Sequence, residues 1–379
     1  MKITGVKTAR LGGSSACLRI DTDEGIRGFG EATVETVPEA VMAVVHRIAG
    51  EYLVGQDPRP VELHRRRMQD ALWYHADAVV SSALTGIDHA LWDIKGQALG
   101  VPVYELLGGP VRDRVRVYKW IGESSRDNLQ EQARKRVAEG LTAIKFSPTL
   151  DCPSPYPRCV DEARQLVCQV REAVGPHVDL MLDPASRWKL AEARHVLSEL
   201  EEFQILFAED FISPYCGVET IAKLAASTRI PYALGDRLIG YRQFEEVIRH
   251  DAAAVLQPDI GHAGGLLEIR AIALAAEQRG IRIAPHNALG PVATAAAIHL
   301  DLAIPNFLIQ EIAGTEFFGA WNLGSYVDTE ILTVRDGYID APRKPGLGVT
   351  IDDAVFNGEL PVREPPFFSD PKDFHVPEW

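Results

Sequence analysis

Nowhere in the chain do eighteen apolar residues run together, and the opening MKITGVKTARL lacks the apolar segment of a secretory leader. Neither a membrane span nor secretion is expected. Cysteine is sparse: Cys17, Cys152, Cys159, Cys168 and Cys216 are the five, with no CxxC pair among them. An odd number without metal-type spacing predicts reduced thiols in a cytoplasmic protein, and argues against a disulfide frame or a zinc site. HxH and HExxH are also absent, so a zinc hydrolase would lack its ligands. Positive charge is in deficit, with 39 Lys and Arg against 53 Asp and Glu and a formal net charge of −14. Nucleic acid and anionic membrane surfaces would be repelled. Any acidic substrate has to be held by local positive charge.

What is present is ample apolar material, 46% of 379 residues, enough for a large core and a second domain. Residues 1–113 read as an α+β unit. MKITGVKTARL and SACLRIDTDEGIRGFGEA predict paired strands, the second containing a turn at Asp23, Glu24 and Gly25. VPEAVMAVVHRIAGEYLVG and VVSSALTGIDHALWDIKGQALG have helical apolar spacing and stop at Gly55 and Gly100. Over residues 114–345 short apolar runs alternate with amphipathic stretches: VRVYKWI, TAIKFS, DLMLDP, ILFAED, IPYALGD, AAVLQPD, IRIAPH and NFLIQE. Eight strands with helices between them predict a closed parallel α/β barrel. Residues 346–379 are expected to return to the first unit, and the Pro-rich SPTLDCPSPYPRC reads as a loop inserted after the second barrel strand.

Seven of these runs end in a chemically capable residue: Lys145, Asp183, Glu209, Asp236, Asp259, His286 and Glu311. From Asp183 onward the gaps are 26, 27, 23, 27 and 25 residues, each close to one βα unit. Barrel chemistry gathers at the C-terminal ends of the strands, so side chains remote in sequence would meet at one mouth. Singly, each has an ordinary explanation. An Asp after a strand caps the next helix, a histidine there is a hydrogen-bonded core residue, and a lysine reaches solvent. Together, five carboxylates at one end of an apolar barrel would repel one another without a cation. Asp183, Glu209 and Asp236, on adjacent strands, suit a hard, oxygen-preferring ion such as Mg²⁺. Asp259, one strand before His286, would fix the imidazole tautomer, raise its basicity and leave the other nitrogen to act as general base. A base opposite a Lewis acid suits removal of the proton next to a carboxylate, which makes an enediolate. Lys145 and Glu311 would assist, Glu311 as a hydrogen-bond donor if protonated.

The segments LRIDTDEGIRGFGEA, SALTGIDHALWDIKG, PVYELLGG, LQPDIGHAGG, APHNALGPVATAAAIHLD, LIQE and KPGLGV extend over nearly the whole chain. They resemble the enolase superfamily in its mandelate racemase-like branch, and within it the sugar-acid dehydratases of the galactonate dehydratase type. QPDIGHAGG with APHNALGP is far more specific than a lone short motif. The resemblance implies a (β/α)7β TIM-type barrel under an α+β capping domain built from the N-terminal part and the C-terminal tail. It also implies Mg²⁺ on Asp183, Glu209 and Asp236, a His286–Asp259 base, a sugar-acid substrate and a homo-oligomer.

Several positions depart from that pattern. Ala185, in LDPASRW, stands where galactonate dehydratases carry a histidine as general acid. Asp236 stands where relatives usually have Glu, and Ser147 where racemases place a second lysine, which disfavours a two-base racemase. The LGGSSA loop is small and glycine-rich. With Trp73 to Asp77 it is expected to shape specificity. The leading expectation is an Mg²⁺-dependent dehydratase in which His286 both removes the α-proton and protonates the leaving hydroxyl. An epimerase or cycloisomerase, which needs no acid for hydroxyl loss, and a non-catalytic relative remain as alternatives.

Overall fold

The computed structural model describes residues 1–11, 15–34, 37–72, 77–122, 128–148, 156–313 and 326–358. The chain opens with an antiparallel meander of β1 (Ile3–Arg10), β2 (Ala16–Thr22) and β3 (Arg27–Glu31). Gly25, at φ +80°, makes the turn between β2 and β3, a conformation that costs glycine nothing. Helix α1 (Pro38–Ile48) and the later α3 (Ala78–Leu99) cover this sheet, with α2 (Val61–Asp70) between them in sequence and packed on α3. α1 ends before Gly55, and a π-helical turn over Ala49–Leu53 carries the chain there. α2 has no counterpart in the sequence reading. Its buried face is Val61, His64, Arg65 and Met68, half of it polar, so no apolar period marks it. α3 ends as expected at Gly100, whose left-handed backbone closes the helix.

After α4 (Val103–Leu106) the barrel begins. Its strands and helices run β4 (Arg114–Trp120), α5 (Leu129–Ala138), β5 (Ala143–Phe146), α6 (Tyr156–Val174), β6 (Asp179–Leu182), α7 (Leu190–Leu200), β7 (Ile205–Glu209), α8 (Val218–Ala225), β8 (Tyr232–Leu234), α9 (Gly240–Arg249), β9 (Val255–Leu256), α10 (Leu266–Glu277), β10 (Arg282–Ile283), α11 (Pro291–Ala303) and β11 (Gln310–Glu311). Strands β4 to β10 pair in chain order, all parallel, and β11 returns to β4. Backbone bonds from Ile283 N to Asn306 O (3.0 Å) and from Leu308 N to Ile283 O (2.7 Å) close the last seam. One inward residue from each run, Tyr118, Ala143, Met181, Phe207, Ala233, Val255, Ala284 and Ile309, fills the barrel interior. The expected barrel is the fold observed.

The tail supplies β12 (Val327–Asp328), β13 (Tyr338–Asp340), β14 (Thr350–Ile351) and α12 (Asp353–Phe356). β13 pairs antiparallel with β4, an addition the sequence did not suggest. Leu347 N donates to Asp93 Oδ1 on α3 (2.8 Å), and Asp353 pairs with Arg19 (2.5 Å) and Arg27 (2.9 Å) of the N-terminal sheet. The thiol expectation needs one correction. Cys159 is disulfide-bonded, while Cys17, Cys168 and Cys216 are free. An odd count excludes the pairing of every cysteine but not of some. Among the described residues no helix is long and apolar enough to cross a membrane.

Candidate functional site

Successive strand side chains point to opposite faces, so two residues beyond each interior residue lies the next layer of the barrel. From Tyr118, Ala143, Met181, Phe207, Val255, Ala284 and Ile309 that step reaches Trp120, Lys145, Asp183, Glu209, Gln257, His286 and Glu311. Strand β8 breaks the rule. Two beyond Ala233 is Gly235, at φ +141°, where a Cβ would lie 2.9 Å from Gln257 N. Glycine lets the chain turn there and brings the following residue, Asp236, inward. Glu209, Asp236 and His286 then offer ligand atoms within 4.8 Å of one another. A cavity of about 410 Å³ opens over this layer, lined among others by Trp120, Lys145, Ser147, Asp183, His286 and Glu311.

Asp259 and His286 meet because their strands are neighbours, bridged in parallel at these two residues. Oδ2 of Asp259 lies 2.6 Å from His286 Nδ1. Its Oδ1 accepts the backbone N–H groups of Gly261 (2.6 Å) and His262 (3.1 Å). A carboxylate so placed fixes the proton on Nδ1 and leaves Nε2, 3.9 Å from Glu311 Oε2, facing the cavity. Burial alone would raise the Asp259 pKa, but His262, His286 and the Gly261 amide hold it below the usual carboxylate range. Burial opposes charge on His286, yet the bond to Asp259 and the carboxylates of Glu311 and Asp236 raise its pKa well above the ordinary value. The imidazole is a strengthened base.

Lys145 is 1% exposed and reaches Glu209 Oε2 at 2.8 Å and Glu311 Oε1 at 3.0 Å. The rings of Tyr118 and Trp120 lie 5.5 and 5.4 Å from its ammonium. Burial would discharge it, but Glu209 and Glu311 push its pKa well up instead. Glu311 is likewise held low by Lys145 and His286 against the effect of burial. Its ionised, accepting form is the one these neighbours favour.

The carboxylates around Asp236 are under-compensated. Glu209 is raised to about 7, first by burial and then by Asp183 and Glu311, with Lys145 opposing. Burial and like charges also raise Asp183 and Asp210. Both oxygens of Asp210 and Oδ1 of Asp236 have no hydrogen-bond partner among the described residues. The orphaned oxygens of Asp210, whose pKa is raised, beside that of Asp236 mark a place that a hard divalent cation fits. Asp183 stands in the same layer, but its Oδ1 accepts the Ala185 amide at 2.7 Å, and His286 rather than Asp183 completes the tightest donor group. Ala185 and Ser186 both have left-handed backbone (φ +51° and +65°), and Ser186 Oγ is bound by Arg237 at 3.1 Å.

Trp120, Gln257 and Asp210 were missed from the sequence. The two-residue step from an interior residue finds the first two, and Gln257 is buried with neither amide atom partnered among the described residues. His262, also missed, donates from Nε2 to the Asp236 carbonyl at 2.8 Å. Gly12 to Ser14 of the LGGSSA loop, residues 73–76 and the Pro-rich insert over 149–155 lie outside the described residues.

Similarity to known proteins spans the same architecture. Residues 1–108 match the mandelate racemase / muconate lactonizing enzyme N-terminal domain, and residues 128–355 match the enolase C-terminal domain-like family. D-galactonate dehydratase of Xanthomonas oryzae pv. oryzae is 39% identical over 386 residues, covering 100% of both chains. D-galactonate dehydratase of Verminephrobacter eiseniae is 41% identical over 362 residues, 94% of this chain and 93% of its own. Among solved structures, an enolase from Agrobacterium radiobacter with bound sodium and L-malate superposes with a TM-score of 0.87 at 28% identity, covering 96% of each chain. A mandelate racemase/muconate lactonizing enzyme from Jannaschia sp. CCS1 gives 0.86 at 32% identity over 96% of this chain and 99% of its own.

Proposed function

The chain belongs to the mandelate racemase/muconate lactonizing enzyme family of the enolase superfamily, and from that premise we propose an Mg²⁺-dependent hydro-lyase that dehydrates an aldonate-type sugar acid. The observation that carries this reading is the Asp259–His286 pair, joined at 2.6 Å with Asp259 fully buried and His286 partly open to the cavity, facing the Lys145–Glu311 pair. Nε2 of His286 removes the α-proton, and the Lys145 ammonium lies where a substrate carboxylate gains charge as the enediolate forms. Glu209 and Asp236, with Asp183, are the residues to hold Mg²⁺, which when bound supplies Lewis-acid stabilisation of that charge. The β-hydroxyl then leaves as water, and the resulting enol becomes a 2-keto-3-deoxy acid.

The proton for the leaving hydroxyl has few sources. Ala185 carries none, and Ser186 is turned to Arg237. Lys145 holds its proton too tightly between two carboxylates to give it up readily. The His286 imidazolium, freshly charged with the α-proton, is the remaining acid, which requires syn loss of water. Ala185 also supports a second reading, an isomerase that never expels hydroxide. The test is to incubate the enzyme and Mg²⁺ with an acid-sugar library in deuterated water, galactonate first. Keto-acid formation supports the dehydratase, and α-proton exchange without it supports the isomerase. Neither signal with any acid would refute both and leave a non-catalytic relative.

A further inference from the structure

We propose that Glu31, on the N-terminal sheet, is a positioning residue for His286, an inference that rests on the reading of His286 as the base. Glu31 is fully buried at the end of β3, and its carboxylate is surrounded by donors. Oε1 accepts Ser15 Oγ (2.6 Å), Thr33 Oγ1 (3.1 Å) and Gly290 N (2.6 Å), and Oε2 accepts Ala293 N (3.1 Å). Gly290 is the N-cap of α11 and lacks a capping side chain, while Pro291 has no N–H. The first amides of a helix need acceptors from elsewhere. Here the acceptor is an anion from the other unit, which also meets the positive end of the helix dipole.

Only Asn287, Ala288 and Leu289 separate His286 from this cap. Asn287 ties the segment to the barrel through Thr294 Oγ1 (2.8 Å) and the Glu311 carbonyl (3.3 Å). Glu31 ties its far end to the N-terminal sheet. Gly290 has φ −82°, which any residue adopts, so its backbone does not call for glycine. Space does. A Cβ there would lie 2.7 and 2.8 Å from the Glu31 oxygens and 2.9 Å from Ser15 Oγ. The same device recurs one strand earlier. Asp88 on α3 accepts Leu266 N at the start of α10 (2.9 Å), and a Cβ on its N-cap Gly265 would meet Asp88 Oδ2 at 2.8 Å. Each helix that follows a member of the Asp259–His286 pair is thus capped by a carboxylate of the N-terminal unit. Through Ser15, Glu31 also touches the end of the LGGSSA segment.

The test uses the full chain with Mg²⁺ and compares Glu31→Gln, Gly290→Ala and wild type. Gln keeps the shape but points an N–H₂ at the donors, and Ala at 290 displaces the carboxylate without touching it chemically. Misplacing a base by about an ångström costs on the order of 10²-fold. Both variants should therefore lose about 10- to 100-fold in kcat and in α-proton exchange, with KM within about threefold, and amide exchange over 290–294 should quicken. A cap that serves stability alone would lower the melting temperature and leave kcat of the folded enzyme intact. Wild-type kcat, or unchanged amide protection in a folded variant, overturns the inference, and Gly290→Ala decides if Glu31→Gln does not fold. If the wild-type enzyme turns over no acid, the reading of His286 fails separately, while amide exchange still tells whether Glu31 holds this segment.

Discussion

Replacing Asp259 by Asn should invert the tautomer of His286 and silence it as a base. One oxygen of Asp259 accepts two backbone N–H groups, from Gly261 at 2.6 Å and His262 at 3.1 Å. An Asn at this fully buried position must keep its carbonyl oxygen there, because turning the amide over would set N–H₂ against two donors, at a cost of about 1–3 kcal/mol for each unsatisfied group. Its N–H₂ then faces His286 Nδ1, 2.6 Å from the present Oδ2. Nδ1 becomes the acceptor, the ring proton moves to Nε2, and the nitrogen facing the cavity has no lone pair for substrate. General base catalysis contributes about 10²–10⁴ in rate, which is about 3–5 kcal/mol of barrier. His286→Asn should cost the same, and the double variant little more, since the pair acts as one unit. The assay is deuterium incorporation at the α-carbon of a turned-over acid, with melting temperature and Mg²⁺ affinity alongside. The pH profile adds a sign. Burial opposes charge on His286, but Asp259, Glu311 and Asp236 raise its pKa, so activity should rise with pH as the imidazole loses its proton. Any residual limb in Asp259→Asn should shift to lower pH. Exchange within about threefold of wild type in a well-folded Asp259→Asn enzyme would refute the reasoning.

Saturating Mg²⁺ should raise the melting temperature, since a ligand at 100 Kd adds about 2.7 kcal/mol of stability. Asp183→Asn, Glu209→Gln and Asp236→Asn should each lose most of that shift, and a full shift in Asp236→Asn would place the ion elsewhere. Burial lowers the pKa of His299 from 6.5 to about 4, so the fold favours its neutral form. That stability is present above the unfolded value and is lost as pH falls from about 6.5 toward 4, to a limit of about 3 kcal/mol. His299→Gln should flatten this acid dependence in thermal melts, and an unchanged slope would assign it to other groups. Syn elimination by one imidazole predicts that, of two acids epimeric at the β-carbon, only the one presenting both leaving groups on the His286 face is dehydrated. Faster turnover of the other epimer would require an acid outside His286.

The barrel was legible because its eight apolar runs recur at nearly even spacing, and the site because seven of them close on a chemically capable residue. The Asp259–His286 pair could be read directly, since consecutive parallel strands put their ends side by side. Asp236 was also found, though for an incomplete reason: Gly235, by turning the chain, is what brings it inward. Burial fixed what spacing could not. The charge state of Glu311 depends on Lys145 standing 3.0 Å away, a contact between β5 and β11, which are distant in sequence and meet because both pair with β4. α2 escaped because half its buried face is polar, and β13 because three residues on a strand edge leave no period to count.

Glu31 and Asp88 were invisible for a different reason. GFGEA reads as the end of a strand and TGIDHA as the middle of a helix, and in either setting an acidic residue is ordinarily solvated. Their partners are amides at Gly290, Ala293 and Leu266, 259, 262 and 178 residues away. A backbone donor leaves no mark in the sequence, so no side-chain pairing could have announced these contacts. The only trace is the pair of glycines at the N-caps of α10 and α11, where a Cβ would strike a carboxylate oxygen. Gly265, at φ +94°, is needed for its backbone as well, but Gly290, at φ −82°, is not, and a glycine whose backbone angles do not require it signals that something from elsewhere in the chain occupies the missing side chain's place. At Gly290 that occupant is an anion four residues from the base, which ties the docking of the N-terminal unit to the chemistry of the barrel.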